Sequence, residues 1–547
     1  MKKIKLNKKI PILISLIFLL SILFFTLLNA ANINYPDEFD TLLGGKLILH
    51  GILPYKGFLS HHNPVSYFLA SPFYLIAGAS LVRFRILYAI ALAVFFFWIN
   101  KLLKKDFGDK AKFFPIFIFC WVIAAGYYWM HMMLADNLSA LILIYPFFFI
   151  FLSLVYKRDI SRKEIKRIAW FLGIALLNSM TYIYFIFCLS GLLVIYQLVS
   201  KKSIKEGLYT IWRLMLPYIL FFVYLFITGS LKDYLYQTVE YNRKYYIFNS
   251  DQNTPVNPIR YAITIAKKAW EIALPGFENL LKFNIDNPRP LALLGMIFTT
   301  GLVMLWNKKI WAIFPLLFLI SFTTPRTYLM TMGAADYQSA VYITLALGLG
   351  CFLIMEGINR QFIKKNNWLS KVGIGYSWIL VAIFMSIMTQ QFMNRNYDKS
   401  IGNDPLVYDR PEIAKQINKI IDKKEYAWVG PFRFEDLYYL NAKLPSKYNW
   451  LLPANAKSEK IRTEMMADFN KNKPVILVFD KNYSAFGAAA GDFNYFMVEF
   501  INKNYTLVNK CNIAKINQFI CKEQFYVLND RKDEILNKMG SLGMIEK

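Results

Sequence analysis

Three carboxylates crowd into the seven-residue stretch YPDEFDT near the start of the chain: Asp37, Glu38 and Asp40. If a helix begins after the proline, about 3.6 residues per turn place Asp37 and Asp40 on one face and turn Glu38 about 100° away. A carboxylate on such a face can act as a general base toward a hydroxyl nucleophile. The alternative is stabilisation of the helix start, where negative charge is favoured by about 0.3–1 kcal/mol.

A fourth acid, Asp136, stands in the sequence MLADNLSALILIY at the start of an apolar stretch. An ionisable side chain that enters a membrane span is costly and usually faces a cavity or a partner. Capping of a helix that starts near Asn137 is the alternative interpretation. Two acids near one membrane surface can bind a divalent metal ion, or one can act as base while the other holds substrate.

The composition indicates the class of protein to which these acids belong. The 547 residues are 56% hydrophobic and 17% aromatic but only 18% charged, which indicates a membrane protein. Apolar stretches near the length that crosses a bilayer recur up to residue 394. They predict about eleven transmembrane helices, at 11–31, 81–101, 113–129, 137–156, 168–181, 183–200, 211–229, 290–306, 310–324, 337–356 and 372–393. Two of these come from dividing one apolar stretch at a tight turn near Thr181 and Tyr182.

The loops between the spans alternate in charge. The N-terminus and every second loop contain 26 lysine and arginine residues, whereas the short loops on the opposite side contain only Arg326. Because basic residues in short loops stay in the cytoplasm, the N-terminus is predicted inside and the C-terminus outside. The net charge of +27 thus has a topological explanation, which argues against nucleic-acid binding. The first span is predicted to be a retained signal anchor.

Removing the spans leaves three predicted exterior pieces, at 32–80, 230–289 and 395–547. The first contains two short helix candidates, TLLGGKLILHG and NPVSYFLASPFYLIAG, that suit the membrane interface. The second is rich in tyrosine, which is typical of headgroup depth. In the third, strand-like YAWVG and VILVFD and a final pair of strands alternate with helical segments, which predicts a small α/β domain. The chain is therefore divided into a membrane domain, 1–394, and an exterior domain, 395–547.

The five cysteines fall into two groups. Cys120, Cys188 and Cys351 lie inside predicted spans, where a thiol behaves as a small apolar side chain. Cys511 and Cys521 lie in the predicted exterior tail, where a disulfide and two free thiols are both open alternatives. No spacing of cysteine and histidine resembles a structural zinc site.

The stretch PDEFDTLLGGKLILHGILPYKGFLSHHNPVSYFLASPFYLIAG, followed by an arginine-bearing second span and later by LADNLSALILIY, resembles membrane glycosyltransferases of the GT-C superfamily. The nearest branch is the dolichyl-phosphate-mannose protein mannosyltransferase-like group, which includes the lipid A aminoarabinose transferases. The resemblance covers most of residues 1–394 through short motifs. It implies transfer of a sugar from a polyprenyl-phosphate carrier to an exterior acceptor, with inversion, and makes Asp37 the leading base candidate.

A leaving phosphate needs cationic donors. Interfacial anchoring is the alternative role for each arginine or lysine near the membrane surface, and Arg326 is favoured because the charge bias does not explain it. The candidate substrate-binding residues are Asp40, His61, His62, Arg83, Arg85, Arg243, Lys244, Arg326 and Tyr337.

One position departs from the aminoarabinose transferases, which have a lysine before the proline of the interfacial helix where this chain has Asn63. His61 or His62 are candidates to replace it. A metal site that joins His62 to Asp37 and Asp136 is a further alternative, so a divalent metal ion is left open as a cofactor.

Two other classes of function compete with sugar transfer. A transporter or flippase of lipid-linked sugars would use the acids as proton or substrate sites, but such proteins usually show internal repeats, and none is visible here. A non-catalytic protein of glycan assembly would use the tail as a partner module. The acceptor is equally open among a protein, a lipid-linked glycan, lipid A and a wall polymer.

Overall fold

The computed structural model is mostly helical and forms two compact units. Arg326, Cys511 and Cys521 lie outside the residues that the structure describes, so their predicted roles stay predictions. The described residues are 9–32, 35–201, 203–246, 257–282, 284, 287–324, 336–359, 367–400, 412–508 and 525–545.

Long apolar helices dominate the first half of the chain, and two shorter ones interrupt them after the first span. In chain order the helices are α1 (Lys9–Ala30), α2 (Pro36–Leu49), α3 (Val65–Ala77), α4 (Leu81–Phe107), α5 (Phe113–Ala125), α6 (Ala135–Tyr156), α7 (Arg162–Asn178), α8 (Ile183–Lys201), α9 (Ile204–Ile227) and α10 (Leu231–Tyr234).

The second half continues with long helices and ends in short helices and strands. The helices are α11 (Pro258–Leu281), α12 (Pro288–Trp306), α13 (Ile313–Phe322), α14 (Ala340–Asn359), α15 (Trp368–Ser400), α16 (Glu412–Ile420), α17 (Phe434–Tyr439), α18 (Pro453–Lys457), α19 (Glu459–Lys471), α20 (Ala490–Phe493), α21 (Tyr495–Asn504) and α22 (Lys532–Ser541). The strands are β1 (Ala427–Gly430), β2 (Ile476–Phe479), β3 (Ser484–Ala485), β4 (Ala488–Ala489), β5 (Tyr505–Leu507) and β6 (Phe525–Leu528).

Each of the predicted spans coincides with a helix. Within the described residues, seven helical segments are long and apolar enough to cross a membrane, and they begin with the helices α4, α6, α9, α12 and α15 and with the short turns before α8 and α14. The helices α1, α5 and α13 contain shorter apolar segments, and α7 is in neither group. The chain is therefore a multi-pass membrane protein, while the count of eleven spans stays a prediction.

The predicted break between α7 and α8 is confirmed. Ser179 has an extended backbone, with φ −145° and ψ 125°, and a single 3₁₀ turn, Met180–Tyr182, leads into α8. The Ser179 hydroxyl accepts a hydrogen bond from the backbone N–H of Thr181, which fixes this turn.

The first unit, made of Met1–Asn34, Val82–Phe221 and Asn257–Val407, is called the membrane unit here, and the helices α6 and α14 form its centre. In their most apolar windows 94% and 83% of the residues are buried, against 28% in α9. A helix that is apolar on every side suits a position surrounded by other helices. At Gly348 of α14 a β-carbon would lie only 2.2 Å from the Phe148 ring of α6, so the two helices approach closely because this residue has no side chain.

The second unit is built around a hairpin of α2 and α3. Pro36 occupies the first helical position of α2, with two acids in the first turn, so the predicted helix start is confirmed. The hairpin is tight because Gly44 and Gly45 face α3: β-carbons there would lie 2.3 Å from the Tyr67 ring and 2.7 Å from the β-carbon of Ala70. The second helix is a short one interrupted by Pro72, as predicted.

The tail of the chain forms a mixed four-stranded sheet in the order β1-β2-β6-β5. The first two strands are parallel, with Ala427 opposite Ile476, and the remaining pairs are antiparallel. The predicted strands YAWVG and VILVFD and their parallel pairing are thus confirmed. A β-hairpin of β3 and β4 follows β2 along the chain.

The unit that contains this sheet also contains parts of both predicted exterior loops. Its segments are Tyr35–Leu81, Phe222–Val256 and Tyr408–Lys547. The piece at 230–289 was predicted as a loop, but much of its described part is helical. Its first part, with α10 and two π-helical segments, belongs to this unit, whereas α11 belongs to the membrane unit. The predicted domain boundary at residue 394 stays a prediction.

Candidate active site

The three acids of α2 point in two directions, as predicted. Glu38 has no exposed surface, whereas Asp37 and Asp40 remain partly exposed. Asp37 acts electrostatically on Asp40, which is three residues further along the same helix face. The partly exposed face of α2 therefore presents two neighbouring carboxylates.

A chain of hydrogen bonds holds Asp40 in place. The Tyr67 hydroxyl of α3 donates to Asp40 Oδ2 at 2.8 Å, and Ser60 Oγ lies 2.9 Å from the same hydroxyl. The backbone N–H of Ser60 donates to Gln237 Oε1 at 2.9 Å, and Gln237 Nε2 donates to the backbone oxygen of Tyr55 at 2.7 Å. These bonds join α2, α3 and the tyrosine-rich segment 231–246, called the Tyr-rich segment here, into one polar network.

Asp40 has an unusually high proton affinity for an aspartate. Burial raises the pKa of Asp40 to about 7, the hydrogen bond from Tyr67 opposes this rise, and the charge of Asp37 adds to it. Near neutral pH the Asp40 carboxyl is therefore only partly ionised. Asp37 and Asp40 together hold less than two full negative charges at the pH of a cell.

This pKa makes the free energy of unfolding depend on pH. The folded state keeps the Asp40 proton up to about pH 7, whereas the unfolded state loses it near the ordinary value of 3.8. Stability should then fall as the pH rises from about 4 to 7. Asp40→Asn removes this loss, since the amide oxygen still accepts from Tyr67. We expect its melting temperature to exceed that of the wild type by more at pH 8 than at pH 5.

Thermal unfolding in detergent at both pH values tests this expectation, with Asp530→Asn at an exposed position as the matched control. A difference between Asp40→Asn and wild type that is the same at pH 5 and pH 8 would contradict it.

The two adjacent histidines belong to an aromatic cluster. Their ring centroids are 3.8 Å apart, and the His61 ring lies 4.4 Å from Tyr246 and 5.5 Å from Trp450. His62 accepts a hydrogen bond from the Tyr55 hydroxyl through its backbone oxygen, at 3.0 Å. The histidines are thus placed by the Tyr-rich segment and by the tail.

The structure places the candidate metal ligands in different units. Asp37 and His62 belong to the unit that contains the sheet, and Asp136 belongs to the membrane unit. Within the described ranges no group of three histidine, cysteine, aspartate or glutamate side chains is arranged to hold a metal ion. The three-residue metal site therefore gains no geometric support.

The tail brings Tyr483, which the sequence did not indicate, within electrostatic range of Asp37. Burial raises the pKa of Tyr483, the charges of Tyr35 and Asp37 add to this rise, and Arg433 opposes it. Arg433 also pairs with Asp436 at 2.8 Å. The Tyr483 phenol of the tail thus lies within electrostatic range of the candidate base, and the Arg433 guanidinium lies within range of that phenol.

A lysine of α2 fastens that helix to the tail. Lys46 Nζ donates to the backbone oxygens of Leu437, Tyr438 and Leu440, at 3.3, 2.8 and 2.6 Å. These carbonyls lie at the C-terminal end of α17, where helix carbonyls lack partners and favour a cation. Burial lowers the pKa of Lys46 to about 8. The position of α2 therefore depends on hydrogen bonds between Lys46 and residues that lie almost 400 positions later in the chain.

The candidate phosphate-binding cations have different surroundings. Arg85 is buried and donates to the backbone oxygens of Ala30 and Asn32, at 3.3 and 2.5 Å, so its role is to hold the end of α1. Arg83 and Arg243 are exposed. Lys244 is exposed and pairs with Glu240 at 2.7 Å.

Asp136 lies in the membrane unit, near the start of α6, and only 4% of it is exposed. The capping interpretation is wrong, because Leu134 takes the N-cap position and Asp136 is the second helical residue. The amide of Asn137 instead closes the preceding turn by donating to the backbone oxygens of Trp129 and Met132. Asp136 is therefore a buried acid in the first turn of a central helix.

A second acid of the membrane unit, Asp336, was missed. Burial raises its pKa to about 6, hydrogen bonding with Ser339 opposes the rise, and the charge of Asp136 adds to it. Asp336 is directly followed by the candidate Tyr337, which is 8% exposed. The available signal was an acid just before an apolar span, in AADYQS, which repeats the arrangement in LADNLS.

Comparison with solved structures identifies the fold of the chain. No family model and no curated protein matches the chain. The crystal structure of ArnT from Cupriavidus metallidurans bound to undecaprenyl phosphate aligns with 96% of this chain and 98% of its own, at TM-score 0.51 and 13% identity. The chain has the fold of ArnT.

The same ArnT in the apo state aligns with 95% of this chain and 97% of its own, at TM-score 0.47 and 14% identity. The ArnT fold is that of a GT-C-type membrane glycosyltransferase, so the resemblance in PDEFDTLLGGKLILHG is confirmed at the level of the fold.

Proposed function

We propose that the protein transfers a sugar from a polyprenyl-phosphate donor to an acceptor hydroxyl at the exterior membrane face, with inversion. The observation that carries the proposal is the position of Asp37. It is a partly exposed carboxylate at the first turn of α2, in a chain with the fold of ArnT. ArnT from Cupriavidus metallidurans has been crystallised with undecaprenyl phosphate, a carrier lipid of this chemical class.

The proposed chemistry has one proton transfer and one displacement. Asp37 removes the proton of the acceptor hydroxyl while its oxygen attacks the anomeric carbon. The bond between that carbon and the phosphate oxygen breaks, and the polyprenyl phosphate leaves as an anion. The lipid tail stays in the membrane while the sugar sits at its surface, so the base has to wait at that surface.

Cationic side chains are expected to stabilise the leaving phosphate. The proposal assigns this role to the exposed Arg83 and Arg243 and to Arg326, and it excludes Arg85, which already holds α1. His61 and His62 take the place of the lysine that aminoarabinose transferases have before the proline. Asp136 and Tyr337, together with Asp40 and Lys244, are assigned to substrate positioning.

Purified protein in nanodiscs tests the proposal. Polyprenyl-phosphate sugars extracted from the host membrane are supplied as donors, and the release of free polyprenyl phosphate is followed together with sugar appearing on an acceptor. Both products should accumulate in equal amounts. A protein that moves the labelled donor across vesicle membranes without consuming it would instead be a flippase, and the proposal would fail.

The topology is proposed as predicted: eleven spans, a cytoplasmic N-terminus and an exterior tail. In a background with Cys511→Ser and Cys521→Ser, single cysteines are introduced at the exposed positions Ser484 and Lys163. A membrane-impermeant maleimide should label the Ser484→Cys protein in intact cells and the Lys163→Cys protein only after permeabilisation. The reverse pattern would contradict the charge-bias argument.

A further inference from the structure

Three lysines meet at one end of the membrane unit and are called the lysine cluster here: Lys110, Lys157 and Lys309. Lys110 lies in the 3₁₀ turn after α4, and its Nζ stands 4.2 Å from the centre of the Tyr156 ring. Lys157 directly follows that tyrosine at the end of α6. Lys309 precedes the 3₁₀ turn Ile310–Ala312, which packs on α6, and both other lysines act on it electrostatically.

The lysine cluster has more positive than negative charge. One carboxylate, Glu356, acts on Lys309, and it is only 4% exposed and accepts a hydrogen bond from the Tyr156 hydroxyl at 2.9 Å. Around Lys309, two further lysines therefore act against one carboxylate. Burial first, and then the other two lysines, lower the pKa of Lys309. A bound anion would offset this repulsion.

Two lysines at this end of the unit have a left-handed backbone, one in the lysine cluster and one beside it. Lys157 has φ +50° and the neighbour of Lys309, Lys308, has φ +56°. Both values lie in the left-handed region, where glycine is comfortable and a residue with a β-carbon is not. The chain therefore places long cationic side chains at two positions where its backbone alone would suit glycine.

Apolar side chains border the lysine cluster. Ile310 and Trp311, in the turn that follows Lys309, are 61% and 40% exposed, and Leu305 at the end of α12 is 51% exposed. Exposed apolar side chains next to the ends of membrane helices face lipid. A ligand at this site would therefore contact cationic side chains and apolar side chains together. These surroundings suit the headgroup and acyl chains of a phospholipid better than a free ion.

We propose that Lys110, Lys157 and Lys309 bind the phosphate group of an anionic phospholipid at the end of the membrane unit that is predicted to be cytoplasmic. Basic pockets between membrane helices on that side bind such headgroups through charge. The proposal is independent of sugar transfer, since none of its residues belongs to the candidate active site.

Native mass spectrometry of the purified full-length protein tests this site. Phosphatidylglycerol is titrated against the protein in detergent, with phosphatidylcholine as the zwitterionic comparison and inorganic phosphate as the free-ion comparison. We expect phosphatidylglycerol to bind in preference to both. Each Lys→Gln change in the cluster should weaken its binding about fivefold, and the triple variant by roughly 10².

The control is Lys163→Gln, an exposed lysine at the predicted cytoplasmic end of α7, which should leave the affinity unchanged. Equal losses in the control and the cluster variants would overturn the proposal, because they would show a diffuse charge effect. Unchanged binding in the triple variant, or equal binding of both phospholipids, would overturn it as well.

Glu356→Gln gives a test of opposite sign. The amide keeps an oxygen that accepts from Tyr156 but removes a carboxylate that acts on Lys309, so phosphatidylglycerol should bind about fivefold more tightly. Damage to the fold would weaken binding instead. A weaker affinity for Glu356→Gln in a protein with wild-type melting behaviour would therefore overturn the assignment.

Discussion

Asp37→Asn is expected to lower sugar transfer by ~10² to 10⁴, the usual contribution of a general base. Asparagine keeps the size of the side chain and most of its hydrogen bonding but cannot accept the proton of the acceptor hydroxyl. Binding of the polyprenyl-phosphate donor should survive, because the change leaves the cationic side chains in place. The measurement is transfer by the purified variant in nanodiscs, beside donor binding and a melting curve.

The other acids serve as graded controls for this expectation. Glu38→Gln should reduce transfer less than Asp37→Asn, since Glu38 is fully buried in the first turn and does not face the acceptor. Asp40→Asn should have the smallest effect, because it resembles the protonated form that already exists near pH 7. Asp136→Asn should fall between these two. A folded Asp37→Asn protein with near wild-type transfer would remove the catalytic assignment and leave helix-end stabilisation.

Lys46→Met is expected to have the second largest effect. Methionine fills a similar volume but leaves three carbonyl oxygens of the α17 end without their donor, which should lower the free energy of unfolding by about 1–3 kcal/mol. Because α2 then loses its anchor to the tail, Asp37 shifts from its working position. A displacement of about 1 Å in a catalytic group can cost ~10² in rate.

The matched control is Lys56→Met. Lys56 lies in the loop that connects α2 to α3. It is exposed and donates a long hydrogen bond, 3.4 Å, to the backbone oxygen of Thr228. Its loss should change transfer and melting temperature little. If both lysine variants retain wild-type transfer, the tail does not set the position of the acids. If both lose transfer equally, the loss reflects general damage to the unit.

Local patterns in the sequence were enough to predict the helices at the predicted spans, the start of α2 and the strands β1 and β2, but not the helices within 230–289. The start of α2 follows from Pro36 and the acids after it, and the strands β1 and β2 follow from short apolar runs bounded by glycine, proline or aspartate. The opposed faces of Asp37 and Glu38 follow from helical periodicity alone. Each of these features depends on residues within one or two turns of each other.

Contacts between distant segments could not be predicted in this way. Lys46 reads as a solvated lysine on a short helix, and its three acceptors are backbone atoms, which have no signature in a sequence. Tyr483 carries no signal in its own segment, and only the folded tail brings it within electrostatic range of Asp37 and of Arg433. The capping role of Asp136 was wrong because it depended on a helix start that lies two residues earlier.

The unit that presents Asp37 consists of three segments that ribosomes make far apart in time. Its last segment begins at Tyr408, about 330 residues after Leu81 ends the first, so at about 5–20 residues per second roughly 15 to 65 s separate them. During this interval α2 and α3 have been translated, but the carbonyl partners of Lys46 have not. A nascent or prematurely terminated chain therefore carries the acids of α2 and still lacks the carbonyl groups that hold this helix, so we expect activity only from the completed translation product.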